Sequence, residues 1–170
     1  FWLNEGFTVW AERRILRTLH GPDAAALGWA MGQKALEDSL ARFKDEPHLT
    51  VLRMHLEGID PDDAFSSIPY EKGARLVAAL EQEVGEERFL RFLRDYMDAF
   101  RFTSITTEQF CAFVEAKLPG ALEAVNARAY LDEPGLPATA PGFRSAQLDG
   151  LTALAEGWTG GGHPTPQQIA

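Results

Sequence analysis

Glu5, Thr8 and Glu12 fall at i, i+3 and i+7, so in a helix their side chains share one face, opposite much of the apolar stripe. Carboxylates placed this way are oxygen donors for a metal ion, and equally an ordinary solvated acidic face. Tyr70 follows directly on Pro69. A phenol stays protonated at neutral pH and can aim an O–H at a developing oxyanion, and a preceding proline helps to fix its direction. A tyrosine at a helix start also reads as a half-buried packing residue. His20, His48 and His55 show no metal-ligand spacing and read as surface or loop residues, and His163 as a solvated tail residue. Cys111 is the one cysteine, which excludes an internal disulfide, and its place in Phe110-Cys111-Ala112-Phe113-Val114 predicts a small buried hydrophobe.

The run Asn4-Glu5-Gly6-Phe7, preceded by Trp2-Leu3 and followed by Thr8-Val9-Trp10-Ala11-Glu12-Arg13-Arg14, resembles the segment carrying the third zinc ligand in gluzincin zinc aminopeptidases. The branch it is similar to is that of leukotriene hydrolase and aminopeptidase B. Asp60-Pro61-Asp62-Asp63-Ala64-Phe65-Ser66-Ser67-Ile68-Pro69-Tyr70-Glu71-Lys72-Gly73 resembles a second segment of that family, ending in Pro-Tyr-Glu-Lys-Gly. Ser104-Ile105-Thr106-Thr107 and Pro134-Gly135-Leu136-Pro137 are similar to the same branch in the same order, so the resemblance covers roughly residues 1–158.

The resemblance implies that Glu5 is a zinc ligand and that Tyr70 donates a hydrogen bond to the tetrahedral intermediate. Glu12 would orient a ligand histidine from behind, against the competing reading of a surface salt bridge with an arginine. Asp62 would shape the substrate pocket. Phe65 stands where leukotriene-forming enzymes have a tyrosine, which argues against epoxide hydrolysis and leaves it as apolar pocket wall or core. The family's H-E-x-x-H helix, with two zinc-binding histidines and the glutamate that activates water, is not in these 170 residues. The expectation is therefore a portion of a zinc aminopeptidase of broad or basic-residue preference, acting on peptides by metal-activated water. Zinc would be held in the complete enzyme, with the preceding part of the catalytic domain as partner, and the chain alone would be inactive. The alternative is a non-catalytic helical scaffold or interaction module that lost the metal site.

Apolar spacing predicts the elements that position these residues. A first helix runs over residues 3–20 with Phe7, Trp10, Ala11, Ile15 and Leu19 on its stripe, closed by Gly21-Pro22, and a second over about 23–43. Residues 44–69 break the rhythm and read as an extended segment followed by an ordered loop. Helices return over 70–84 and over 86–100, the latter turning Phe89, Phe92, Leu93, Tyr96 and Met97 inward. Thr106 with Gln109 has the capping-box form for a helix to Leu118, and shorter helices are expected over about 121–130 and 145–158. The fold class is all-α, the helical lobe of a thermolysin-like metallopeptidase catalytic domain. Residues 1–143 would form its C-terminal part, 144–158 the start of a following helical segment, and 159–170 a flexible tail.

Composition sets limits on the rest. Hydrophobic residues make up 45% and charged residues 24%, an ordinary globular balance. The net charge of −9 opposes binding to nucleic acid, whose affinity for proteins comes from lysine and arginine on phosphates. No apolar run approaches the roughly 20 residues of a membrane span. A cytoplasmic location is expected, with any targeting signal lying upstream, since the sequence opens at Phe1-Trp2-Leu3 inside an apolar segment.

Overall fold

Gly21 turns the chain at φ 88° and Pro22 opens the next helix, so α1 (Trp2–His20) and α2 (Pro22–Arg42) fold back on each other. The computed structural model describes residues 1–60, 62–159, 161, 163 and 165. After α2 comes a 3-10 turn, Pro47–Thr50, and an irregular stretch leads to α3 (Ile68–Val84). Next are α4 (Glu86–Phe100), α5 (Thr107–Lys117), α6 (Ala121–Ala124), α7 (Ala127–Leu131) and α8 (Ala146–Thr159). Among the described residues all regular structure is helical, as the apolar periodicity predicts.

Contacts between α1 and α3 advance along both helices together, from Phe1 on Tyr70 through Gly6 on Gly73 to Trp10 on Glu81. The two helices therefore run in the same sense. Between α2 and α3 the order reverses, from Ser39 on Ser67 to Gln33 on Arg75, so these two are antiparallel. From Ile68 to Leu80 every residue of α3 is buried except Tyr70, which is half-buried. α3 is thus the central helix, with α1, α2, α4 and α7 packed around it.

One side of the core is aromatic. Phe7 stacks on Tyr96 at 5.4 Å, and Trp2, Trp10, Phe89, Phe92 and Phe110 join them mostly edge-on, the arrangement ring quadrupoles favour. The Trp2 indole N–H donates to Thr107 Oγ1 at 3.0 Å, and Thr106 and Gln109 form the predicted capping box. On the other side Trp29 stacks on Phe143 at 3.9 Å, where the chain passes from the Pro134–Pro137 turns toward α8.

Several expectations need correction. Ile15, Leu19 and Met97 are exposed by more than half, because α1, level with Glu81 at Trp10, runs on to His20 after α3 has ended at Val84, and Met97 borders an open groove. The buried position after Trp10 is instead Arg13. Residues 48–69 hold no strand among those described. The chain makes the 3-10 turn and then leans on α7 by only two backbone bonds, Leu52 N–H to Tyr130 O and Arg53 N–H to Leu131 O. The expected helix over 121–130 is broken at Asn126, whose φ is 51°. Cys111 is half-buried at the core edge, and partial burial raises its thiol pKa. α8 matches its expected span but buries none of its residues. Most of the tail beyond Thr159 lies outside the described residues, as does Pro61.

Candidate active site

Gly6 and Gly73 belong to the two motif segments, Asn4-Glu5-Gly6-Phe7 and Pro69-Tyr70-Glu71-Lys72-Gly73, and the fold presses them together. A Cβ on Gly6 would lie 2.7 Å from the Gly73 carbonyl carbon, and one on Gly73 would lie 3.1 Å from Gly6 Cα. Gly6 has no room for a side chain at this backbone approach, and at Gly73 a Cβ would be a tight fit. The first turns of α1 and α3, which carry Glu5 and Tyr70, are therefore neighbours. Glu5 is half-buried, accepts from Asn4 Nδ2 at 3.2 Å, and has no ion-pair partner among the described residues. Its carboxylate keeps lone pairs for another ligand. That donor type fits zinc, which binds carboxylate oxygen beside imidazole nitrogen. No group of three histidine, cysteine, aspartate or glutamate side chains able to hold a metal occurs among the described residues.

Tyr70 stands at an apolar surface. The Phe1 ring meets it edge-on at 5.9 Å and the Phe65 ring at 6.3 Å, and both phenylalanines are mostly exposed. Phe65 is therefore surface wall beside Tyr70 rather than core. Its loop is fastened to α2 by Arg42, whose guanidinium donates to the carbonyls of Phe65 and Asp63. Asp62 is exposed in the same loop, its N–H donating to Asp60 Oδ1 at 3.0 Å. Glu12 is exposed on α1 and forms no ion pair among the described residues, unlike the arginine bridge considered for it. His20, His48 and His55 are exposed, as expected. A separate groove of about 620 Å³ runs beside α1 between Asn4, Thr8, Met97 and Phe102, and neither Glu5 nor Tyr70 lines it.

The residues directly after Tyr70 carry buried charge. Glu71 takes a two-pronged contact from Arg13, with Nη1 to Oε2 at 2.8 Å and Nη2 to Oε1 at 2.6 Å. It also accepts from Arg75 Nη1 at 3.1 Å, while Arg75 Nη2 donates to Gln33 Oε1 at 2.7 Å. Both guanidinium groups lie over Trp29, Arg13 at 4.3 Å from the ring centre. Gly32 makes the room, since a Cβ there would come within 2.2 Å of Glu71 Oε2. Burial pushes Arg75 below its ordinary pKa, and Glu71 opposes the shift.

Lys72, fully buried, donates from Nζ to the carbonyls of Thr50 at 2.9 Å and Glu133 at 2.8 Å. Desolvation lowers its pKa to about 8, with Glu133 and Asp132 pulling the other way. Thr50 Oγ1 in turn accepts from the Gly135 N–H at 2.8 Å. Sequence reasoning missed both anchors. The available signal was a charged pair, Glu71-Lys72, at the head of a helix whose following residues up to Leu80 are, apart from Arg75, apolar or glycine on every face.

A family model described as "Peptidase family M1 domain" matches residues 1–128. Among curated proteins, leucine aminopeptidase 2-1 of Meyerozyma guilliermondii is 37% identical over 163 residues, covering 93% of this chain and 26% of that protein. A leukotriene A-4 hydrolase homolog of Botryotinia fuckeliana is 37% identical, covering 99% of this chain and 27% of its own length. Among solved structures, yeast leukotriene A4 hydrolase in complex with bestatin superposes with a TM-score of 0.86 at 37% identity, over 93% of this chain and 26% of that one. An M1 zinc metallopeptidase variant from Deinococcus radiodurans, bound to a Tyr-Ser-Ala substrate, superposes at 0.57 and 25% identity, over 82% of this chain and 29% of that one. The chain thus spans about a quarter of the length of the relatives it matches.

Proposed function

The chain belongs to peptidase family M1, and from that membership we propose that it forms the helical part of the catalytic domain of a zinc aminopeptidase that releases N-terminal residues from peptides. The observation that supports this most is the packing of Gly6 on Gly73, which joins the turn bearing Glu5 to the turn bearing Tyr70. Glu5 is the one zinc ligand these residues contribute, the remaining ligands coming from the rest of the complete enzyme. Bound zinc supplies a polarised water and a Lewis acid for the scissile carbonyl.

The Tyr70 phenol then donates to the oxygen on which negative charge develops as water adds to the carbonyl carbon. That donor is worth most once the charge has formed, so it lowers the barrier more than it strengthens substrate binding. Phe1 and Phe65 keep water from the outer edges of the Tyr70 ring, and Asp62 shapes the pocket for the substrate. Phe65 in place of a tyrosine directs the site to peptides rather than epoxides. Residues 144–158 begin a further helical segment that rests on α2.

Steady-state kinetics and zinc content of the complete enzyme test this reading. Tyr70→Phe is expected to keep its zinc and KM while kcat falls by about 10²–10³-fold, as for other oxyanion donors. Glu5→Ala is expected to lose zinc and activity together. A Tyr70→Phe enzyme with full zinc and near-normal kcat would reduce Tyr70 to a packing residue.

A further inference from the structure

A hydroxyl that must meet a developing charge has to be held in direction, and the aromatic neighbours of the half-buried Tyr70 ring are two exposed phenylalanines, both edge-on. The turn beneath it is held far more firmly. On one flank Glu71 is clasped by Arg13 of α1 and by Arg75, which reaches on to Gln33 of α2. On the other flank Lys72 is tied to Thr50 in the irregular stretch and to Glu133 after α7. Consecutive helix positions lie about 100° apart around the axis, so two anchors on neighbouring positions fix both the roll and the height of the turn.

Resting on the assignment of Tyr70 as oxyanion donor, we propose that Glu71 and Lys72 are positioning residues that together set where the Tyr70 hydroxyl points, through the Arg13–Glu71–Arg75 clasp and the Thr50–Lys72–Glu133 tie. Neither side chain touches substrate. Each is buried and held by more than one hydrogen bond, and each connects the Tyr70 turn to a different part of the fold. A residue that only stabilised the domain could be anchored anywhere along α3. These two stand immediately after Tyr70, which is the one residue between Ile68 and Leu80 that is not fully buried.

A double-mutant cycle in the complete enzyme separates positioning from general stability. Glu71→Asp keeps the charge but withdraws the carboxylate from Arg13, and Lys72→Met keeps the chain length but removes both bonds. Each is made with Tyr70 and with Tyr70→Phe, and kcat, KM and zinc content are measured below the unfolding transition. In the Tyr70 background each anchor variant is expected to lower kcat by about 10-fold or more with KM and zinc unchanged, since a misplacement near 1 Å can cost about 10²-fold. In the Tyr70→Phe background the same substitutions should change kcat less than about 2-fold, because the group being aimed is gone.

Equal losses in both backgrounds, or no loss with Tyr70 present, would overturn the proposal. If Lys72→Met fails to fold, the milder Glu71→Asp pair decides on the same criteria. A near-normal kcat for Tyr70→Phe alone is a distinct outcome: it refutes the role of Tyr70, and the proposed aim of the anchors falls with it.

Discussion

Lys72 is an ammonium in the core with two carbonyls for company and no carboxylate in contact among the described residues. Its pKa, near 8 in the fold against 10.5 ordinarily, has a thermodynamic consequence. Between those values the unfolded chain binds the proton more tightly than the folded one, so stability rises with pH across that window. The contribution is fully present above about pH 10.5 and is lost as pH falls toward about 8. Cys111 and Tyr130, whose pKa values burial raises, act in the opposite sense at similar pH, but they are common to parent and variant. Urea unfolding of the 170-residue chain and of Lys72→Met should therefore show a stability difference that moves in the parent's favour from pH 8 to pH 10. A difference that stays flat would mean that Lys72 titrates normally.

At the level of elements, the crossing of α1 on α3 makes a prediction about glycine. Gly6 and Gly28 both lie inside helices, where alanine is favoured by about 1 kcal/mol. A Cβ on Gly28 would sit 3.7 Å from Arg13, an ordinary contact, so Gly28→Ala should be neutral or stabilising. On Gly6 it would meet the Gly73 backbone at 2.7 Å, and backbone cannot swing aside. Gly6→Ala should cost about 1–3 kcal/mol net, the usual penalty of overpacking, measured by denaturant midpoints. Equal stabilities for the two variants would show that α1 and α3 separate freely.

Which helices exist was largely legible in the sequence, because the stripes of α3, α4 and α5 and the Thr106–Gln109 cap are local signals. The candidate site residues were suggested only by the two motif segments. Glu5 and Tyr70 have bland alternatives when read singly, and their juxtaposition depends on contacts between distant helices. What escaped was non-local. Arg13 occupies a core position because Glu71 is there to receive it, and Ile15 and Leu19 are exposed because α1 runs on past the end of α3. No window of sequence contains either fact.

For the molecule as a whole, the proposed division of labour bears on the isolated chain. One carboxylate ligand cannot hold zinc in the three-ligand manner of catalytic sites. Metal analysis of the purified 170-residue chain should find no stoichiometric zinc, and a fluorogenic aminoacyl substrate should remain uncleaved. One-to-one zinc that survives Glu5→Ala would show that the ligands lie elsewhere.

Because α1 and α3 run in the same sense, the chain must travel out through α2 and the irregular stretch before it can return. Arg13 and Glu71, which clasp directly, are 58 residues apart in sequence. Closing a loop of that length carries an entropic cost that local helix formation cannot offset in advance. During synthesis, α1 emerges with Trp2, Phe7 and Trp10 uncovered, and their partners on α3, α4 and α5 leave the ribosome only later. The nascent chain is then most prone to sticky encounters from the emergence of α1 until that of α5, while the aromatic face is exposed and the helices that will bury it do not yet all exist.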